Sequence, residues 1–228
     1  IACLAALARA QEAFVEQDYV AEGRQPHAVA VADGPVWLTY AKDRTIWLKR
    51  SLDGGKSFEE AMKVAEVPAM DVGMRRGPRV AVAGEALIVT CIAGEQARGR
   101  DGDLLLWRST DGGKSWSEPK KLNSAAGSAR EGLQATAAEG KYVAVVWLDL
   151  RGKGTTLYGS FSEDGGESFT PDRQLYASPG GTICECCCPQ VAVDAGQRVA
   201  ILFRNALDGA RDMYLLKSTD AGKTFSPA

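Results

Sequence analysis

The chain comprises 228 residues with a formal net charge of −2, 25% charged and 7% aromatic side chains, the balance of an ordinary folded surface. No run of like charge is long enough to act as a nucleic-acid-binding tail. The only long apolar stretch lies at the N-terminus, so neither nucleic acid nor a membrane span is expected.

Ile1 to Leu7, followed by Ala8-Arg9-Ala10, reads as the tail of a secretory signal peptide with an A-x-A cleavage site before Gln11. A lipobox remnant at Ile1-Ala2-Cys3 fits less well, because the apolar run continues past Cys3. The expected location is secreted or periplasmic.

From Arg24 onward one succession of elements recurs. Pro26 to Val31 alternates and is rich in small residues, as an innermost strand beside a crowded axis would be. Val36 to Tyr40 is a richer apolar run, readable as a buried strand, and Ile46 to Arg50 is a third strand. The third strand leads into Ser51-Leu-Asp-Gly-Gly-Lys-Ser-Phe58, and Met62 to Glu66 is a more polar fourth strand. The next copies repeat it: Pro78 to Val82, Ala86 to Ala93 and Leu104 to Arg108 before STDGGKSW (109–116), then Leu133 to Ala137, Tyr142 to Trp147 and Thr156 to Phe161 before SEDGGESF (162–169). The last copy runs through Pro189 to Val193, Val199 to Phe203 and Met213 to Lys217 into STDAGKTF (218–225).

A motif recurring every ~55 residues is one supersecondary unit copied in tandem, and such units bury their apolar faces by stacking. The motif reads as a turn. Paired glycines supply left-handed backbone angles, Asp and the preceding Ser accept turn amides, and the closing aromatic anchors the turn from beneath. Four regularly spaced aspartates are thus scaffold rather than catalytic or calcium-binding groups. The expected fold is all-β: a β-propeller of four-stranded antiparallel blades, with units at about 24–70, 71–125, 130–178 and 186–228.

The pattern S-x-D-x-G-x-[ST]-[FW] resembles the Asp-box, or BNR repeat, of the sialidase-like propellers. That resemblance implies six blades, so these four are expected to belong to a longer exported protein; a complete four-bladed propeller is the alternative. Asp-boxes also occur in xyloglucan-cleaving enzymes, sorting receptors and assembly factors, so the fold alone leaves function open.

In such a blade, loops between second and third strands share one face with the blade-to-blade connections. Charge gathers there: Arg24, Arg75, Arg76, Arg130, Glu131 and Glu185 from connections, and Asp43, Arg44, Arg98, Arg100, Asp101, Asp149, Arg151, Arg204, Asp208, Arg211 and Asp212 from loops. Guanidinium matches a carboxylate with two parallel hydrogen bonds, so an anionic ligand is one reading. A rim of mutually satisfied Asp and Arg is the other.

Gly23-Arg24-Gln25-Pro26 resembles the [FY]-R-I-P motif of sialidases, whose arginine grips the sialic-acid carboxylate, and Tyr40 to Arg44 resembles the A-[DE]-x-R segment that follows. The resemblance implies that Arg24 binds the carboxylate and Arg44 lines the pocket. The family's acid loop is missing here, so the general acid is either missing or replaced by Asp43. Arg204-Asn205 resembles the N-x-R segment, Arg211 stands two residues early for a second triad arginine, and Glu185 lies roughly where a glutamate polarises the tyrosine nucleophile. That tyrosine and the third arginine would lie outside this chain, and Tyr158 and Tyr214 read as strand residues. His27, the only histidine, follows Pro26 at the register of Arg79 and Gln190 and is expected to line the channel.

Catalysis by resemblance is retaining hydrolysis with a tyrosine nucleophile, on an anionic carbohydrate or glycoconjugate, without a cofactor. Two other classes stay open: a non-catalytic propeller binding a glycan or protein, and a metal- or redox-linked one. The third rests on Cys184, Cys186, Cys187 and Cys188, readable as disulfides, a soft-metal site or a redox thiol. Oligomeric state is left open.

Overall fold

The computed structural model describes residues 19–226. The signal-peptide expectation over 1–10 lies outside them. The described residues form four antiparallel sheets in chain order. The first holds β1 (Arg24–Ala30), β2 (Val36–Lys42), β3 (Thr45–Ser51) and β4 (Met62–Glu66). The second holds β5 (Ala69–Met70), β6 (Arg79–Ala83), β7 (Ala86–Gly94), β8 (Asp103–Ser109) and β9 (Lys120–Lys121). The third runs β10 (Gln134–Glu139), β11 (Tyr142–Asp149), β12 (Thr156–Ser162) and β13 (Arg173–Tyr176). The fourth has β14 (Gln190–Val193), β15 (Val199–Arg204) and β16 (Met213–Ser218).

The second sheet departs from a plain meander. Both β5 and β6 pair with β7, so its innermost strand is split by residues 71–78, which loop out on the charged face. The four inner strands β1, β6, β10 and β14 follow one another around a central channel, and a cavity of about 500 Å³ runs along it past His27.

Stacking explains why the second strands of the two middle sheets, β7 and β11, read as continuous apolar runs: both are covered on both faces, whereas β15 of the fourth sheet leaves Leu202 exposed. All eight residues of β11 are buried. Val143, Val145 and Trp147 point toward the second sheet, packing with Ile88, Leu104 and Leu106, while Ala144, Val146 and Leu148 point toward Ile201, Phe203 and Leu216 of the fourth. Each fully buried Leu or Ile contributes roughly 1.5–3 kcal/mol.

The four motifs fold alike. In the first, Ser51 Oγ accepts the Gly55 amide at 2.8 Å and donates to Asp53 Oδ1 at 2.7 Å. Asp53 accepts the Ser57 amide at 2.9 Å and its hydroxyl at 2.6 Å. The same contacts recur around Asp111, Asp164 and Asp220. The hydroxyl at the seventh motif position, followed by the turn amide and the first Ser, holds each of these carboxyls well below the usual range. Ala221 adopts a φ of 57°, the left-handed angle its glycine counterparts take freely. The closing aromatics Trp116, Phe169 and Phe225 each pack against the core between their own sheet and the preceding one.

Candidate functional site

Opposite the motifs, the sheet connections dock onto the loops between second and third strands. Ala129 donates its amide to Gly102 O at 3.0 Å, Leu150 to Ser128 O at 2.8 Å, Ile183 to Thr155 O at 3.0 Å and Cys184 to Arg204 O at 2.9 Å. This stitching builds a rigid charged mouth, in which carboxylates and guanidiniums are treated differently.

Three of the carboxylates are taken up internally. Asp101 accepts the amides of Glu95, Gln96 and Ala97, closing its own loop. Asp71 reaches across to the amides of Arg98 and Gly99. Asp149, wholly buried, accepts Ser128 Oγ at 2.7 Å, Trp147 Nε1 at 3.0 Å and a two-pronged contact from Arg151 at 2.8 and 2.9 Å. Burial alone would raise the Asp149 pKa, and these donors more than offset it, so the group is held ionised. Arg151 also pairs with Asp172 at 2.5 Å and lies 3.9 Å from the Tyr158 ring centre. The mutually satisfied rim is therefore real for Asp149 and Arg151.

Arg24, Arg130, Arg204 and Arg211 differ: among the described residues none has a carboxylate within 4.0 Å. Arg24 opens β1 and lines a cavity of about 400 Å³ with Asp43, Lys42 and Glu22. Asp43 is the first residue of a two-residue turn, at a φ of 55°. Arg44, beside it, is drawn outward to Glu66 of β4 at 3.2 Å, away from that cavity. Arg130 lines a second cavity of about 310 Å³ with Arg76 and Arg98, where Arg76 pairs with Glu131 at 3.6 Å. Burial raises the Glu131 pKa, Arg76 opposes it, and Glu185 adds to the rise.

Arg204 and Arg211 come together at the end of the fourth sheet, where Arg204 Nε donates to Arg211 O at 3.0 Å. Glu185 is exposed and accepts Thr182 Oγ1 at 3.2 Å. The structure thus groups Arg24 with Asp43 around one recess, and Arg204 with Arg211 at the end of the fourth sheet. Tyr214 packs among Tyr176 and Phe203 as a strand residue.

Residues 107–118, spanning the second motif, match the BNR/Asp-box repeat. A Hadza microbial sialidase superposes with a TM-score of 0.59 at 19% identity, covering 90% of this chain and 46% of its own. A leech intramolecular trans-sialidase gives 0.63 at 11% identity, covering 98% and 54%. The chain has a sialidase-like propeller fold. An α-L-arabinofuranosidase from Lactobacillus brevis shares that propeller at a TM-score of 0.59 and 15% identity, covering 91% of this chain and 72% of its own. The propeller described here spans about half the length of the two sialidases. No curated protein sequence matches it. No helix among the described residues is long and apolar enough to cross a membrane.

One mouth residue was passed over by sequence reasoning. Arg79, at the start of β6, is 9% exposed and donates to the carbonyls of Arg75, Gly77 and Pro78, with Cys188 Sγ at 3.9 Å. Its signal was the register it shares with His27. The His27 Nδ1 accepts the Val80 amide at 3.2 Å; burial first, then the Arg79 charge, push its pKa down to about 4.

The cysteine run divides. Cys184, Cys186 and Cys187 lie with their sulfurs 3.2–3.9 Å apart, whereas Cys188 donates to Gln134 O at 3.2 Å. All four are free thiols. Cys91 sits within β7, where burial pushes it up to about 12.

Proposed function

We propose that this propeller binds an anionic glycan at the mouth opposite its Asp-boxes and belongs to an exported glycoside hydrolase of exo-α-sialidase type. The observation that carries the reading is the asymmetry of the mouth. Asp71, Asp101 and Asp149 are occupied by the protein's own donors, while Arg24, Arg130, Arg204 and Arg211 lack carboxylates among the described residues. An anionic sugar supplies what those guanidiniums lack, in the two-pronged geometry they favour.

In this reading Arg24 grips the sugar carboxylate and Asp43, lining the same recess, protonates the departing oxygen. Arg204 and Arg211 extend the grip, Glu185 polarises the nucleophile, and Arg44 stays with Glu66. The resemblance assigns attack to a tyrosine that this stretch of chain does not supply.

The test is release of a fluorescent aglycone from a sialic-acid aryl glycoside by the full-length protein and its Arg24→Ala variant. Losing one charge-assisted contact of ~3 kcal/mol lowers kcat/KM by roughly a hundredfold. Absence of turnover by folded wild-type protein removes the hydrolase reading. A second reading, a non-catalytic propeller binding the same class of glycan, is favoured by the tight Asp43-Arg44 turn, which leaves no extended acid loop. Binding of sialylated oligosaccharide without turnover would establish it.

A further inference from the structure

We infer that Cys184, Cys186 and Cys187 form a three-sulfur site for one monovalent copper ion, with Arg204 and Arg211 as its counter-charges. The inference does not rest on the glycan reading; it assigns Arg204 and Arg211 to the metal centre rather than to the sugar. The sulfur separations are 3.2, 3.5 and 3.9 Å, well beyond a disulfide bond of about 2.05 Å. A point in the plane of the three sulfurs lies about 2.1 Å from each, close to the ~2.3 Å of a bond between a borderline-soft metal and thiolate.

The scaffold holds that triangle in place before any ion arrives. The Cys184 amide is bonded to Arg204 O, and the adjoining Ile183 amide to Thr155 O, so the loop is tied to both the third and fourth sheets. Cys184 is buried and Cys186 exposed, so the site has a floor and an open side through which an ion enters.

Donor number and charge select the ion. A structural zinc site needs four donors. The fourth thiol, Cys188, is turned to Gln134 O, and the carboxylate of Glu185 accepts Thr182 instead. Three thiolates alone suit Cu(I), which soft sulfur selects. On binding, each thiol releases its proton to solvent as its sulfur lone pair binds the ion, with no change of oxidation state. The resulting centre carries two negative charges. Arg204 lies 3.8 Å from Cys187 Sγ, and its Nε donates to the backbone carbonyl of Arg211, which brings a second positive charge to the same corner. Two cations and no carboxylate ion-paired to them match that charge, whereas a divalent ion on three thiolates would leave one cation in excess.

The test is anaerobic titration of the reduced full chain with Cu(I) against a Cu(I)-selective chelator, with Zn(II) in parallel. One Cu(I) per chain is expected, retained by Cys188→Ser and Cys91→Ser and lost in the Cys184→Ser/Cys187→Ser double variant, with circular dichroism confirming that each is folded. Arg204→Ala should weaken Cu(I) by roughly tenfold or more, as loss of an outer-shell contact does. No retained copper in the folded reduced protein, Zn(II) held as tightly as Cu(I), or copper retained by the double variant would each overturn the site. So would a Cys184–Cys187 disulfide without copper in protein taken from its own export compartment.

Discussion

The loop between second and third strands ends in opposite ways in the third and fourth sheets. At the third, Asp149 and Arg151 close on each other, with Ser128, Trp147, Asp172 and Tyr158 as further partners. At the fourth, Arg204 and Arg211 occupy the corresponding corner with no carboxylate partner among the described residues, and Arg204 lies 3.8 Å from the Cys187 thiol instead. Both corners look equally charged in sequence. Only the second has charge left over for a ligand, which shows that satisfaction, rather than charge count, separates scaffold from site.

The sharpest break of this comparison is Asp149→Ala. Leaving Arg151 to Asp172 alone and stranding two buried donors, Ser128 Oγ and Trp147 Nε1, should cost about 3 kcal/mol, seen as a Tm lowered by roughly 6–12 °C. A near-neutral effect would mean that the third corner is no more locked than the fourth. Ser109→Ala, which removes the buried hydroxyl joining Gly113 to Asp111, should cost about 1 kcal/mol by chemical denaturation, because the motif is a turn device and no more.

Acid probes the axis between the corners. His27 has a folded pKa of about 4 against ~6.5 unfolded, so the unfolded chain binds the proton more readily. Its contribution is full above about pH 6.5 and is lost as pH falls toward 4. Glu131, whose pKa burial raises, acts in the opposite direction at the acidic end of that range. The Tm difference between wild type and His27→Gln, measured from pH 7 to pH 4.5, isolates the histidine: the wild type should fall more steeply. The smallest stability effect belongs to Arg204→Ala, within ~0.5 kcal/mol of wild type, while its affinity for a sialylated oligosaccharide drops. Loss of stability without loss of affinity would make the fourth corner a second scaffold.

Much of this molecule was legible because its signals are local. The four motifs, the small-residue inner strands and the apolar second strands all follow from spacing within some twenty residues, and β1 to β4 appear where that spacing puts them. The split inner strand of the second sheet was not legible, since β5 is two residues long and is defined only by its pairing to β7. At the site, alternating charge marked the mouth but not its division. Arg44 and Asp43 are neighbours in sequence, yet one turns to Glu66 and the other lines the cavity with Arg24.

By itself, the sequence determined that the chain is a tandem of Asp-box blades, because a turn and its flanking strands depend on backbone angles and side-chain alternation that neighbouring residues set. The tertiary structure alone decided which charges remain available. The partner of Asp71 lies 27 residues away, that of Arg79 in the cysteine run 109 residues away, and the sulfur triangle stands where two sheets bring a connection against the end of β15. Such distances are closed by the stacking of blades, and no local pattern encodes the order in which stacked blades satisfy one another's groups.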